Sequence, residues 1–217
     1  MNENIQTTIP IKIIMVGPMN VGKTSLVTRY VTGKIPGQTK TTKNASYVTK
    51  RKTVNGFNFE IRLWDTAGQE KYKSLTKLFT KDAKIAILVY SIDSEESFNE
   101  LDKWLELVKS SNEDNLLLGI AANKSDLVSD KTISEERGRE YAEKIGAEWK
   151  STSALSENGG IEEFIDLLFK KYYDNFFTPG LEPTNSQSLT ISMEDSKVKG
   201  GCCGGEQSND KKKTNKK

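Results

Sequence analysis

A chain of 217 residues, 35% hydrophobic and 29% charged, holds enough apolar material for one well-cored domain plus a polar extension. A net charge of +2 gives no electrostatic case for nucleic acid, and the absence of histidine excludes imidazole bases and histidine-containing zinc sites. The two cysteines, Cys202 and Cys203, are adjacent and near the end, so they staple no fold and nothing points to an oxidising compartment.

Residues 1–8 read as a flexible N-terminus. The start, MNENIQTTIPIK, lacks the basic and apolar regions of a secretory leader, and Asn2 stands where N-myristoylation requires glycine. The run Ile11 to Val16 is short, apolar and β-rich, and predicts a strand. Directly after it, Gly17-Pro18-Met19-Asn20-Val21-Gly22-Lys23-Thr24 spells G-x-x-x-x-G-K-T, and Ser25 to Val31 continues as a helix. A polyphosphate needs many donors converging on one point, which a loop with inward-facing backbone N–H groups supplies. Gly17 and Gly22 permit the tight path, Lys23 carries the charge for the β- and γ-phosphates, and the Thr24 hydroxyl suits Mg²⁺. Met19 to Ser25 are therefore the expected phosphate-binding residues. A strand-to-helix turn without a ligand is the plain alternative.

Gly33 to Ser46 has no apolar periodicity and predicts a loop. Tyr47 to Val54, Asn55-Gly56, and Phe57 to Trp64 predict a β-hairpin with a type I′ turn. Phe57, Phe59, Ile61 and Leu63 give its second strand one apolar face, while Lys50-Arg51-Lys52 suits an exposed edge. Asp65-Thr66-Ala67-Gly68-Gln69 follows at a strand end. An acid there suits Mg²⁺ through water, and Gly68 suits an unobstructed N–H to a terminal phosphate; a helix-capping aspartate explains the pattern equally well.

Ile85 to Tyr90 and Leu116 to Ala122 predict buried strands; the first is the longest apolar run, far short of the ~20 residues a spanning helix needs. Phe98, Leu101, Leu105 and Val108 recur at helical spacing, as do Ile161, Phe164, Ile165, Leu168 and Phe169. The alternation argues for an α/β sheet, largely parallel with one antiparallel hairpin strand. Asn123-Lys124-Ser125-Asp126 ends the second strand. A carboxylate at Asp126 matches the guanine N1–H and exocyclic amine, whereas adenine would leave it unpaired. Ser151-Thr152-Ser153-Ala154 ends a strand at Glu148 to Lys150 and is suited to close over the base with a backbone N–H. In isolation both segments are ordinary turn and cap sequences. From Thr178 onward large apolar residues and periodicity disappear, so 178–217 is expected to be a disordered tail behind a domain at 9–177.

These motifs, in this order, resemble the Ras superfamily of small GTPases over about residues 9 to 177, and within it the Rab subfamily through WDTAGQEKYKSL at 64–75 and the Cys pair. The resemblance implies the P-loop small-GTPase fold, a mostly parallel six-stranded sheet with one antiparallel strand and flanking helices. It implies GTP/GDP as ligand, Mg²⁺ as cofactor held by Thr24, Thr42 and, through water, Asp65, and a slow hydrolysis in which Gln69 orients the attacking water. Asn123, Lys124, Asp126, Ser153, Ala154 and Leu155 match the base site, and Thr42 and Gly68 the sensors of the γ-phosphate. Tyr47, Trp64 and Phe79 match an aromatic triad offered to effectors; ordinary core is the alternative. An exchange factor, an activating protein and effectors are the implied partners, with a monomer in the cytosol attached peripherally to endomembranes and a role in vesicle traffic. A GTP-binding scaffold with negligible hydrolysis and a P-loop kinase or ATPase are the competing readings.

The chain also departs from the family. Met19 replaces a small side chain, Ile35 an aromatic, Lys43-Asn44 the usual Ile-Gly, and Leu155 a lysine. Fourteen residues follow Cys203, where lipidated Rab cysteines lie near the end, so lipidation at Cys202 and Cys203 requires trimming, S-acylation or a tolerant enzyme; two idle thiols are the alternative. KKKTNKK at 211–217 carries five lysines, suited to an anionic membrane surface or simply solvated.

Overall fold

The computed structural model describes residues 8–37, 42, 45–66, 79–112 and 115–177. Among these residues the elements are β1 (Thr8–Val16), α1 (Lys23–Thr32), β2 (Ser46–Val54), β3 (Phe57–Asp65), β4 (Ile85–Ser91), α2 (Glu95–Asn99), α3 (Leu101–Lys109), β5 (Leu117–Asn123), a 3-10 turn (Val128–Asp130), α4 (Glu135–Ile145), β6 (Glu148–Ser151) and α5 (Ile161–Phe176). Six strands pair in the order β2-β3-β1-β4-β5-β6, antiparallel only between β2 and β3.

The hairpin turn is the predicted one: Asn55 and Gly56 take φ of 47° and 82°, the positive pair that lets a two-residue turn follow strand twist. β2 is the sheet's edge, and its basic residues Lys50 and Lys52 reach across to Glu162 and Asp166 of α5 at 2.6 and 2.7 Å. Partly solvated pairs of this kind contribute roughly 0–1 kcal/mol each, so they serve the edge more by discouraging pairing with another strand than by stability.

The period-two rule sorts β1 between two cores. Ile11, Ile13 and Met15 join α1 and α5 on one face; Ile14 and Val16 join α2, α3 and α4 on the other. β4 is buried along its whole length, as a central parallel strand covered on both faces must be. On α5 every stripe residue predicted from spacing, Ile161, Phe164, Ile165, Leu168 and Phe169, is buried. Each large side chain removed from water there contributes about 1.5–3 kcal/mol.

Two features differ from the sequence expectation. The stripe from Phe98 to Val108 spans two helices that meet at Glu100, and its central contact is Trp104, 5% exposed, with Leu105 only partly covered. Trp104 and Leu105 share the inward side of α3, and the larger ring takes the buried position. The second feature is α4, which no apolar stripe announces because its buried residues are Gly138 and Ala142. The packing explains the choice: a Cβ on Gly138 would lie 2.4 Å from Tyr90 Oη and 2.6 Å from Trp149 Nε1. The end signals are nevertheless present, since Ser134 accepts the Arg137 N–H and Gly146 closes the helix at φ 71°.

The parallel strands point their carboxyl ends the same way. Gly17 after β1, Asp65 at the end of β3, Asn123 at the end of β5 and Thr152 after β6 therefore gather along one rim of the sheet, where β1 lies between strands reached in opposite directions.

Candidate nucleotide and metal site

The loop after β1 is held in a path that only its own residues fit. Gly17 has φ 146°, and a Cβ there would meet the Val89 carbonyl oxygen at 2.2 Å; Gly22 has φ 94°, and its Cβ would meet Asn123 Nδ2 at 2.4 Å. Asn20 takes the left-handed region with φ 65°, and Val21 is buried. Met19 is 45% exposed, so the departure at this position points outward. Ser25 follows Thr24 in the first turn of α1.

Lys23 is buried, and its Nζ donates to the carbonyls of Gly17 at 2.8 Å and Pro18 at 2.6 Å, which bends the ammonium back over the loop. Thr24 Oγ1 donates to Asp65 Oδ2 at 2.7 Å and lies 2.6 Å from Thr42 Oγ1; Thr42 Oγ1 in turn lies 3.4 Å from the same carboxylate oxygen. Three oxygen-bearing side chains from separate segments thus converge. Asp65 is buried, and its Oδ1 has no hydrogen-bond partner. A buried, unpaired carboxylate oxygen beside two hydroxyls is a donor set for a small hard cation. One carboxylate cannot neutralise a divalent ion, and among the described residues no cluster of three acidic or thiol ligands exists, so a cation held here would need further ligands from outside these side chains.

Asn123 ties two segments of the site together. It is buried, its Nδ2 donates to the Val21 carbonyl at 2.7 Å, and its Oδ1 accepts from Thr152 Oγ1 at 3.3 Å, so one amide clamps the phosphate loop to the strand ends. Asp126 is exposed; its Oδ1 accepts from Ser153 Oγ at 2.5 Å, and that hydroxyl accepts the N–H groups of Leu155 and Ser156, both at 3.1 Å. Ser153 and Ala154 are buried, whereas Leu155 is 55% exposed. Ile35, at 51% exposure, lies on the surface. The loop's far end is pinned too: Ser153 N donates to Gly159 O at 2.9 Å, and Arg29 of α1 donates to Glu157 O at 2.8 Å.

Tyr47, Trp64 and Phe79 form one row, Tyr47 stacked on Trp64 at 4.8 Å and Trp64 tilted toward Phe79 at 5.9 Å. Tyr47 is 52% exposed, Phe79 is partly covered, and Trp64 packs against the core on the α2, α3 and α4 face with its indole nitrogen buried, so the row runs from the surface into the core. Lys12 Nζ lies 4.8 Å from the Trp64 ring. Gly68, Gln69, Lys43, Asn44, Cys202 and Cys203 lie outside the described residues, as does all of 178–217.

With this geometry in hand, the relatives are informative. A Ras family profile matches residues 12–174. The chain belongs to the Ras family. It is similar to Ras-related protein Rab-21 of Geodia cydonium, 40% identical over 162 residues, covering 75% of this chain and 71% of the relative. Rab-21 of Bos taurus is 34% identical over 207 residues, covering 90% and 93%, and Rab-21 of Homo sapiens 39% over 157 residues, covering 72% and 69%. Within the Ras family the chain is a Rab-type GTPase, a GTP-binding and GTP-hydrolysing switch of membrane traffic. No described helix is long and apolar enough to cross a membrane.

The electrostatics of this Rab site are unbalanced in a way a polyanion with a cation would correct. Burial lowers the Lys23 pKa to about 8 against the opposing pull of Asp65. Burial likewise raises Asp65, against the Thr24 hydroxyl, Lys23 and the Thr42 hydroxyl. Between the folded value of about 8 and the unfolded 10.5 the unfolded chain binds more protons, so Lys23 makes the nucleotide-free fold more stable as pH rises through that window. A triphosphate beside Nζ favours the charged form, so GDP or GTP binding should take up a proton at and above pH ~8 and none near pH 6. Calorimetry in buffers of different ionisation heat measures this directly; a buffer-independent heat at pH ~9 would place Lys23 away from the phosphates.

Proposed function

We propose that this GTPase holds Mg²⁺ through the hydroxyls of Thr24 and Thr42 and, through water, Asp65, with the phosphates of GTP in the loop Met19 to Ser25 and guanine between Asn123-Lys124-Asp126 and Ser153-Ala154-Leu155. The single observation supporting this reading most strongly is the convergence of Thr24, Thr42 and Asp65, with one carboxylate oxygen buried and unpaired. The metal, when bound, neutralises charge on the phosphate oxygens during transfer. Lys23 supplies a second positive charge, and the backbone amides of the loop orient the chain of phosphates.

Gln69 orients the attacking water and Gly68 offers an N–H to the γ-phosphate. Thr42 links the state of the phosphate to the loop that carries it, because its hydroxyl shares the metal site with Thr24 and Asp65. Loss of the γ-phosphate removes one tether from that loop, and this is the switching step. Tyr47, Trp64 and Phe79 form the surface offered to effectors; the exposure of Tyr47 and the mutual stacking of the three rings support that role. Residues 9–177 form the nucleotide-binding domain. The tail 178–217 attaches the protein to the cytosolic face of an endomembrane, through Cys202, Cys203 or the lysines of 211–217.

Removal of Mg²⁺ tests the central assignment. Chelation should speed GDP release by about tenfold or more, because the buried Asp65 carboxylate then faces the phosphates uncompensated. A release rate indifferent to chelation takes the metal away from Thr24, Thr42 and Asp65.

A further inference from the structure

Strands β4 and β5 end in register, Ser91 opposite Asn123, so the segments beyond them leave the sheet side by side. The Ile92 N–H donates to the Asn123 carbonyl at 3.0 Å and fastens the two exits together. Lys124 then takes φ 62°, a left-handed conformation that residues with a side chain rarely adopt. Leu127 N to Lys124 O at 2.9 Å and Ser125 N to Thr152 O at 3.0 Å hold that backbone in place.

A fixed backbone does not fix a four-carbon side chain. What restrains the ammonium is Asp93: Lys124 Nζ lies 3.5 Å from Asp93 Oδ2. Asp93 is itself restrained, because its Oδ1 accepts from Ser91 Oγ, and Ser91 is buried at the strand end. The Ser91 N–H donates to Ser97 Oγ at 3.0 Å, and that hydroxyl donates to the Ser94 carbonyl at 2.8 Å, so the start of α2 backs the whole arrangement. Burial raises the Asp93 carboxyl, yet Ser91 and Lys124 outweigh it and leave the group below the usual carboxylate range.

We infer that Asp93 is a positioning residue of the base site: by holding the Lys124 ammonium in place before the nucleotide arrives, it lengthens the time a guanine nucleotide stays bound. The inference rests on the reading of Lys124 as a base-contact residue. The physical source is preorganisation. A lysine already restrained gives up less rotamer freedom when the base docks, and that saving appears mainly in the dissociation rate.

The test is release of fluorescent GDP from the full-length, Mg²⁺-loaded protein, for wild type, D93N, K124A and the double variant. D93N keeps the shape and the Ser91 hydrogen bond but removes the charge, and should release GDP about three- to fivefold faster, the range of a partly exposed ion pair. The difference should shrink as salt is raised. K124A should also release faster, and adding D93N to K124A should change nothing further, which a purely structural effect of Asp93 on the Ser91 turn would not reproduce. Wild-type release from D93N beside fast release from K124A overturns the inference and leaves the reading of Lys124 intact. Equal increments in both backgrounds overturn it as well, by assigning Asp93 to another partner. Unchanged release from K124A refutes the reading of Lys124 itself, and the role of Asp93 with it.

Discussion

Replacing Asp126 with Asn is expected to weaken GDP binding by about a thousandfold or more and to make xanthosine diphosphate the preferred ligand. Guanine offers two parallel donors, the N1–H and the exocyclic amine, and a carboxylate accepts both. The carboxamide presents one acceptor and one donor, so it opposes the amine of guanine and instead matches the N1–H and the carbonyl that xanthine carries in the amine's place. The surroundings should survive the change, because the Ser153 hydroxyl that donates to Asp126 Oδ1 at 2.5 Å can donate equally to an amide oxygen. Asp126 is exposed, so the fold should lose little, and a melting temperature near that of the parent separates altered recognition from unfolding. Competition between the two diphosphates at equilibrium is the measurement. An unchanged preference for guanine would remove Asp126 from base recognition.

Gly22→Ala should sharply weaken nucleotide binding while leaving the rest of the domain folded. Two costs add. A Cβ at φ 94° is strained by roughly 1–2 kcal/mol, and the same atom would stand 2.4 Å from Asn123 Nδ2. Asn123 has nowhere to retreat: its amide is buried between the Val21 carbonyl at 2.7 Å and the Thr152 hydroxyl at 3.3 Å. Displacing it leaves two buried polar groups unpaired, at about 1–3 kcal/mol each, and releases the phosphate loop from the strand ends. A loss of about a hundredfold or more in GDP affinity is the expected result, with the circular dichroism of the domain retained. Affinity within a few-fold of the parent would show that the Asn123 clamp is dispensable.

The two substitutions test different kinds of sequence information. Asp126 and Lys23 were readable because their chemistry lies in the residue itself: a carboxylate at a strand end, an ammonium inside a glycine-rich loop. Hydrophobic spacing likewise laid out β1, the hairpin, β4, β5 and α5, since burial on one or both faces leaves a period in the chain. α4 escaped that reading because its packing surface is Gly138 and Ala142, chosen for what they omit beneath Tyr90 and Trp149. Trp104 taking the inward position beside Leu105 was a question of shape, which spacing does not carry.

By itself the sequence determined the α/β class, the glycine-rich G-x-x-x-x-G-K-T loop between strand and helix, the order of the motifs along the chain and the polar composition of its last forty residues, because each depends on residue type and short-range spacing. Only the tertiary structure decided that Asn123 grips Val21, that Thr24, Thr42 and Asp65 share one point, that Tyr47, Trp64 and Phe79 stack in one row, and that Asp93 faces Lys124. The physical reason is the same in each case. These contacts join segments far apart in the chain, brought together by parallel strands that end on one rim, and no local propensity records which side chains will meet there.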